Sequence, residues 1–337
     1  MDMHAYIDRL EEGALQGRLA AREDVLRLLE LPSEGEDVRY LGRAARRVAW
    51  AASQDTGRIW SAIGLDSRPC PKNCAFCSFG EAWGLVREER ELPAGEVIAI
   101  ARRLVAAGAA WVTLRTTEYY GFDRLCALAR QIRAAVPGEY ELVVNTGQMD
   151  EAEVAAMRAA GIGVVYHSLR LGEGVHTCFR PEERLATLRA IGRSPLRLAH
   201  LVEPVGPEHS NEELAHVFMT ALENGASLSG VMARVNVPGT PGASTAELPE
   251  ARLAQIAAVT RLCGGLRVPD ICVHPASRQA VEWGANVVVV EEGAVPRSDG
   301  FCRDVWRGFD VEQARALLRE AGYAVRPAAS PGGAQGA

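Results

Sequence analysis

The chain has 337 residues, 48% of them hydrophobic, and a formal net charge of −6. That length accommodates one large barrel or two smaller domains with a buried core, and the acidic balance gives no electrostatic reason to expect a nucleic-acid partner. No apolar run approaches membrane-spanning length and Met1 to Arg9 has no charged-then-apolar signal pattern, so the expectation is a cytoplasmic protein with no membrane partner.

Met3 to Ser53 reads as helices. Ala20 to Leu31 and Asp37 to Ala52 place apolar residues at three- and four-residue spacing, and Pro32 and Gly35 separate them. This predicts an N-terminal helical extension, or cap, over residues 1–54. A strand-and-helix alternation follows. Strands are predicted at Arg58 to Leu65, Ala110 to Arg115, Glu141 to Asn145 and Gly163 to Leu169. Four more are predicted at Leu196 to Glu203, Leu228 to Val235, Asp270 to His274 and Asn286 to Val290. Between them lie helical stretches, among them Glu96 to Ala107, Phe122 to Val136, Pro181 to Ile191 and Pro249 to Leu262. After Asn286 the eighth strand is apolar throughout, as parallel strands buried on both faces are. Eight such units predict an α/β fold, a (βα)8 TIM-type barrel over residues 55–324. The Ala/Gly/Pro/Ser-rich tail, 325–337, reads as disordered.

The loop after the first strand carries Cys70-Pro71-Lys72-Asn73-Cys74-Ala75-Phe76-Cys77, three cysteines at C-x3-C-x2-C spacing. In this fold chemistry sits on loops after the C-terminal ends of strands, which is where this one lies. Three thiolates can hold three irons of a [4Fe–4S] cube and leave the fourth without a protein ligand, open to bind and reduce something. A structural zinc site needs four ligands, commonly as two C-x2-C pairs, and no second pair is present. Lys72 is the single lysine of the chain, and it lies inside this loop. Pyridoxal phosphate needs a Schiff-base lysine, so pyridoxal chemistry is disfavoured.

At these residues, Phe76 included, the sequence resembles the radical SAM superfamily. Over about Ile59 to Ala324 it resembles the biotin-synthase-like group: biotin synthase, two-protein-type lipoyl synthase, methylornithine synthase and hydrogenase-cofactor maturases. The run Gly284 to Val288 is similar to methylornithine synthase and its relatives. The resemblance implies that Cys70, Cys74 and Cys77 hold the cluster and that its open iron binds S-adenosylmethionine (SAM). It further implies a low-potential electron donor of flavodoxin or ferredoxin type, and reductive cleavage of SAM to a 5′-deoxyadenosyl radical that abstracts hydrogen from a small molecule.

The strand exits supply the remaining candidates. Glu118, in Thr116-Thr117-Glu118, occupies the place of a Gly-Gly-Glu-like turn that binds the SAM amino group in the family; the glycines are missing. Asn145 is placed to reach a ribose hydroxyl. Arg170 suits the SAM carboxylate, since a guanidinium fork matches it bidentately. Glu173 either binds a ribose or the substrate, or forms a helix-cap pair with Arg170. Gly206 falls where relatives have a turn against the adenine. Arg115, His274, Arg278 and Arg297 are the candidates for a carboxylate-bearing substrate.

Sulfur insertion in this group consumes an auxiliary cluster. Biotin synthase holds its own on strands two, three and five, and the matching stretches Trp111 to Glu118, Leu142 to Thr146 and Leu196 to Glu203 contain no cysteine. Cys126 reads as a core thiol and Cys263 falls at the other barrel end. Cys178, Cys272 and Cys302 are either chance thiols or, if they converge near the barrel top, ligands of a second iron–sulfur cluster. The expected function is therefore radical rearrangement or fragmentation of a small substrate, as in methylornithine synthase. Sulfur insertion of the lipoyl or biotin type is the alternative, and a non-catalytic iron–sulfur electron carrier is another.

Overall fold

The computed structural model describes residues 2–244, 246–298, 301–302 and 305–328, without the side chains of 244, 301 and 302. Eight parallel strands form a closed barrel: β1 (Thr56–Gly64), β2 (Trp111–Arg115), β3 (Glu141–Asn145), β4 (Ile162–Tyr166), β5 in two pieces (Arg197–Ala199 and Val202–Val205), β6 (Leu228–Ala233), β7 (Asp270–His274) and β8 (Val287–Ala294). Each strand pairs with the next, and β8 returns to β1 in register from Arg58 opposite Val287 to Gly64 opposite Gly293. This is the (βα)8 architecture that the alternation of elements predicts.

Three strands differ from expectation for identifiable reasons. β4 stops at Tyr166 instead of Leu169, and β5 breaks at His200-Leu201, because side chains replace ladder bonds between them. The Leu169 amide donates to Nε2 of His200 (3.1 Å) and the Leu201 amide to Oγ of Ser168 (3.1 Å). β6 ends at Ala233, two residues early. β8 runs four residues past Val290, because β1 continues alongside it to Gly64. At that seam only glycine fits: a Cβ on Gly64 would collide with the Ala294 carbonyl.

The helices are α1 (Met3–Leu15), α2 (Arg22–Leu29), α3 (Glu36–Ser53), α4 (Ala94–Ala106), α5 (Phe122–Ala135), α6 (Glu151–Ala159), α7 (Pro181–Gly192), α8 (Asn211–Glu223), α9 (Glu250–Gly264), α10 (Arg278–Glu282) and α11 (Val311–Glu320). Asp150 and Ser210 cap α6 and α8 through capping boxes, so the helices start where short polar residues satisfy their free amides. α4 to α11 surround the barrel. The N-terminal extension packs against α8 and α9, and side chains of α9 complete the end of α2: Nε2 of Gln255 donates to the carbonyls of Leu28 (3.0 Å) and Leu31 (2.8 Å), and Arg252 to that of Leu29 (2.8 Å).

Val325, the first residue assigned to the disordered tail, instead belongs to a short strand, Ala324–Val325, beside Thr56–Gly57 and next to buried Tyr323. Residues 329–337 lie outside the described residues. Inside the barrel, Trp60, Trp111, Val143, Val164, Leu201, Leu228, Cys272 and Val287 form a packed layer. A cavity opens above it, on the side of the strand C-termini.

Candidate active site

The cysteine loop is pinned by backbone bonds to the loops around it. The Ala75 amide donates to the His176 carbonyl (2.8 Å), Cys178 to Lys72 (2.9 Å), Gly242 to Ala75 (2.8 Å) and Ser78 to Pro296 (2.9 Å). It is therefore tied to the loops after β4, β6 and β8. Within it, Asn73 adopts a left-handed φ of 43°, a conformation that Asn tolerates better than most residues, and its Oδ1 accepts from the Ala82 amide (2.9 Å). Cys70, Cys74 and Cys77 are free thiols and all line the cavity.

The donor set fits an iron–sulfur cube. Burial pushes all three thiols up, Cys77 to about 11, so without a cation beside them they stay protonated. Thiolate is the ligand form, and positive charge draws the proton off. Arg170, beside Cys74 and Cys77, and Arg297, beside Cys77, already pull in that direction. Among the described residues no three His, Cys, Asp or Glu side chains are gathered to hold a single metal ion. A cube offers separate iron corners, so the requirement is three thiols facing one space.

The cavity opens to solvent at the C-terminal end of the barrel. Phe76, Glu118, Asn145 and Arg170 line it together with the cysteines, as do Arg115, His274 and Arg297. Glu118 is exposed, at the mouth. Asn145 donates from Nδ2 to the Tyr166 carbonyl (2.9 Å), which fixes the amide orientation at the end of β3. Three other candidates stand outside this space. Glu173 is buried behind the wall, where Thr177 Oγ1 (2.6 Å), Arg184 Nε (3.0 Å) and the Arg170 amide (3.2 Å) occupy its oxygens. Glu173 caps no helix there, since α7 starts only at Pro181 with Arg180 as its N-cap. Gly206 lies beside the wall, where a Cβ would meet Glu208 and Arg234. Arg278 opens α10 and points outward, 60% exposed, paired with Glu320 and Glu282.

Deeper in the barrel, Glu291 is the hub. Arg115 donates to its Oε1 (2.5 Å) and to the Ala294 carbonyl (2.5 Å), and Arg297 donates to the same Oε1. Burial would raise the Glu291 carboxyl, but Arg297, then His274 and Arg115, outweigh it and hold the group well below the ordinary carboxylate range. Burial pushes His274 down, so its ring is neutral. Its Nε2 lies 3.2 Å from Oε2 of Glu291, out of line for a hydrogen bond. Nε of Arg115, Nε of Arg297 and both His274 nitrogens are buried without a hydrogen-bond partner. Groups of this kind are costly to leave unmet.

On the facing wall, the Tyr166 hydroxyl donates to Glu203, and Nε of Arg170 lies 3.6 Å from the same carboxylate. Sequence reasoning assigned no role to Tyr166, Glu203 or Arg184. The available signal was the single acid in Leu201-Val202-Glu203-Pro204, since an acid in an apolar strand exit must find a buried partner. Arg184 is fully buried, paired with Glu173 and packed on the Phe179 ring (4.5 Å), which also receives the Lys72 ammonium (4.8 Å).

His200 behind this wall carries a measurable consequence. Burial pushes it down from 6.5 to about 3, and its Nε2 must stay unprotonated to accept from Leu169. The unfolded chain gains this proton below about 6.5 and the folded chain does not. Stability is therefore complete above that value and falls as pH drops, by up to about 1.4 kcal/mol per pH unit until the folded value is reached. Denaturant midpoints measured against pH should show this slope. His200→Gln should flatten it, leaving the shares of His167 and His274, which burial also pushes down.

Among the described side chains the remaining cysteines do not share a site. Cys178 is exposed on the loop after β4, Cys272 lies wholly buried in the packed layer below the cavity, and neither lines it. The Cys302 side chain lies outside the described residues. Cys126 and Cys263 are buried among core side chains. Among the described residues no helix is long and apolar enough to cross a membrane.

No protein-family model matches the chain. The biotin synthase of Nocardioides sp. is 27% identical over 273 residues, covering 77% of this chain and 71% of that protein. Among solved structures, methylornithine synthase superposes with a TM-score of 0.77 at 18% identity, covering 95% of this chain and 97% of the other. A maturase of the [FeFe]-hydrogenase reaches 0.73 at 12% identity, over 97% of this chain and 73% of the other. The solved structures match in fold, the curated relatives in sequence, and the three-cysteine loop stands at the mouth of the closed barrel: together these likenesses support a radical SAM enzyme of the biotin-synthase-like group.

Proposed function

We propose that the enzyme abstracts hydrogen from a small carboxylate-bearing substrate held deep in the barrel, and rearranges or fragments it. One observation carries this reading: the three thiols and the unpaired donors of Arg115, Arg297 and His274 line a single cavity. A carboxylate entering there meets two guanidinium groups that share only one internal counter-charge, Glu291. When bound, the [4Fe–4S] cluster and SAM supply a hydrogen-abstracting carbon radical. Cys70, Cys74 and Cys77 would hold the cluster, and Glu118, Asn145 and Arg170 would orient SAM. Barrel walls exclude water and oxygen from the reacting carbon.

The name of the curated relatives favours sulfur insertion as the second reading. That chemistry needs a second cluster, and the separate positions of Cys178 and Cys272 speak against one built from them. The test is anaerobic: cluster-loaded protein, SAM and dithionite, with formation of 5′-deoxyadenosine and methionine measured by chromatography. Both products are expected. Arg170→Met should raise the SAM concentration needed for half-maximal cleavage at least tenfold, since a charge-assisted pair is worth about 1.5–3 kcal/mol. An unchanged requirement would remove Arg170 from the SAM site.

A further inference from the structure

A cavity that holds a carbon radical must also contain, or exclude, groups able to quench it. Among the described residues lining this one, two kinds of weak X–H bond occur: the thiols of Cys70, Cys74 and Cys77, and the phenol of Tyr166. The thiols are taken up as cluster ligands in the reading above. Tyr166 remains.

Its placement is tightly controlled. It ends β4, its ring faces the cavity, and its hydroxyl donates to the buried Glu203 carboxylate of β5. The ring packs edge-on against Trp60 (5.2 Å, 67°), which packs edge-on against Trp111 (6.3 Å, 69°). Trp60 is fixed in turn by its indole N–H, which donates to Oγ1 of Thr113 (2.5 Å). The Asn145 amide holds the Tyr166 carbonyl from the other side (2.9 Å). Such contacts hold one rotamer and aim one hydroxyl.

We infer that Tyr166 donates a hydrogen atom to a carbon-centred radical in the cavity. The inference rests on the radical SAM reading and adds a protein group to it. A phenolic O–H is weaker than an aliphatic C–H, so the transfer runs downhill: the O–H bond of Tyr166 breaks homolytically, a C–H bond forms, and a phenoxyl radical is left. One electron restores the phenol, from a low-potential iron–sulfur or flavin protein in the cell or from dithionite in the test. The accompanying proton comes from water by way of Glu203, whose carboxylate lines the same cavity. Each turnover that ends this way consumes a second electron, after the one that cleaves SAM.

The phenolic hydrogen exchanges with solvent and the hydrogens of SAM carbons do not. The experiment is therefore cleavage of SAM by cluster-loaded protein with dithionite in D2O, with no other substrate added. Mass spectrometry reads the label in the 5′-deoxyadenosine formed. In the wild type most of it is expected to carry one deuterium at the 5′ carbon, and in Tyr166→Phe the label per molecule formed should fall to background. Freeze-quenched wild type should also show a phenoxyl radical resonance that narrows when the protein is grown on ring-deuterated tyrosine. That measurement needs no variant to fold. Unlabelled 5′-deoxyadenosine from the wild type, or label that survives Tyr166→Phe, overturns the inference and leaves the radical SAM reading standing. Absence of 5′-deoxyadenosine from protein with a full cluster overturns both.

Discussion

Replacing Cys70, Cys74 and Cys77 together by Ala should abolish iron binding and all SAM cleavage. After anaerobic reconstitution the wild type should hold about four irons per chain, the content of one cube, and the variant none. No other described cysteine lines the cavity, so nothing nearby can take over three vacated corners. The variant should still fold, because the loop is held by backbone bonds to the loops after β4, β6 and β8, which Ala retains. Iron content and visible absorbance check the result. Substantial iron left in the variant would mean a second cluster, and sulfur insertion would then displace rearrangement as the preferred reading.

The second large effect concerns Glu291. Its carboxylate is the counter-charge for Arg115 and Arg297, all three removed from bulk water. Glu291→Ala leaves two guanidinium groups facing each other across a vacated space, and removal of one member of a buried charge cluster costs about 3–5 kcal/mol. Chemical denaturation should show that loss near neutral pH. The sign of its pH dependence follows from the depressed carboxyl: the unfolded group takes up a proton at the ordinary carboxylate value, and the folded one only well below it. The stabilisation is complete above that range and fades as pH falls through it, so variant and wild type should converge in acid. A uniform deficit at every pH would mean that Glu291 acts by packing alone.

These two predictions differ in how far the sequence announces them. The cysteine spacing is local, eight residues of one loop, and the barrel follows from the alternation of strands and helices. Glu291 was visible only as an acid near the last strand. Its meaning depends on Arg115, 176 positions away, and on the face of β8 it occupies. Glu291 points into the barrel, while Glu292, one step along, points outward to Arg103 (2.7 Å). A period of two assigns them to opposite faces, but only closure of the barrel says which face is inside. Arg278 shows the converse. It follows β7 directly, as a site residue would, yet α10 begins at that residue and turns it towards Glu320. The break in β5 was equally hidden, because a ladder bond replaced by His200 or Ser168 leaves no trace in hydropathy.

The cysteine loop has one further property. Lys72 is its single lysine and the single lysine of the whole chain, set between Cys70 and Cys74 with its ammonium over Phe179. Apart from the chain's own terminus, the protein therefore has one address for amine-directed reagents, and a lysine-specific protease has one bond to cut. Both fall between Cys70 and Cys74. Reductive methylation with labelled formaldehyde would thus install one side-chain magnetic-resonance reporter inside this loop, with the terminal amine as its sole companion, without a substitution anywhere in the chain.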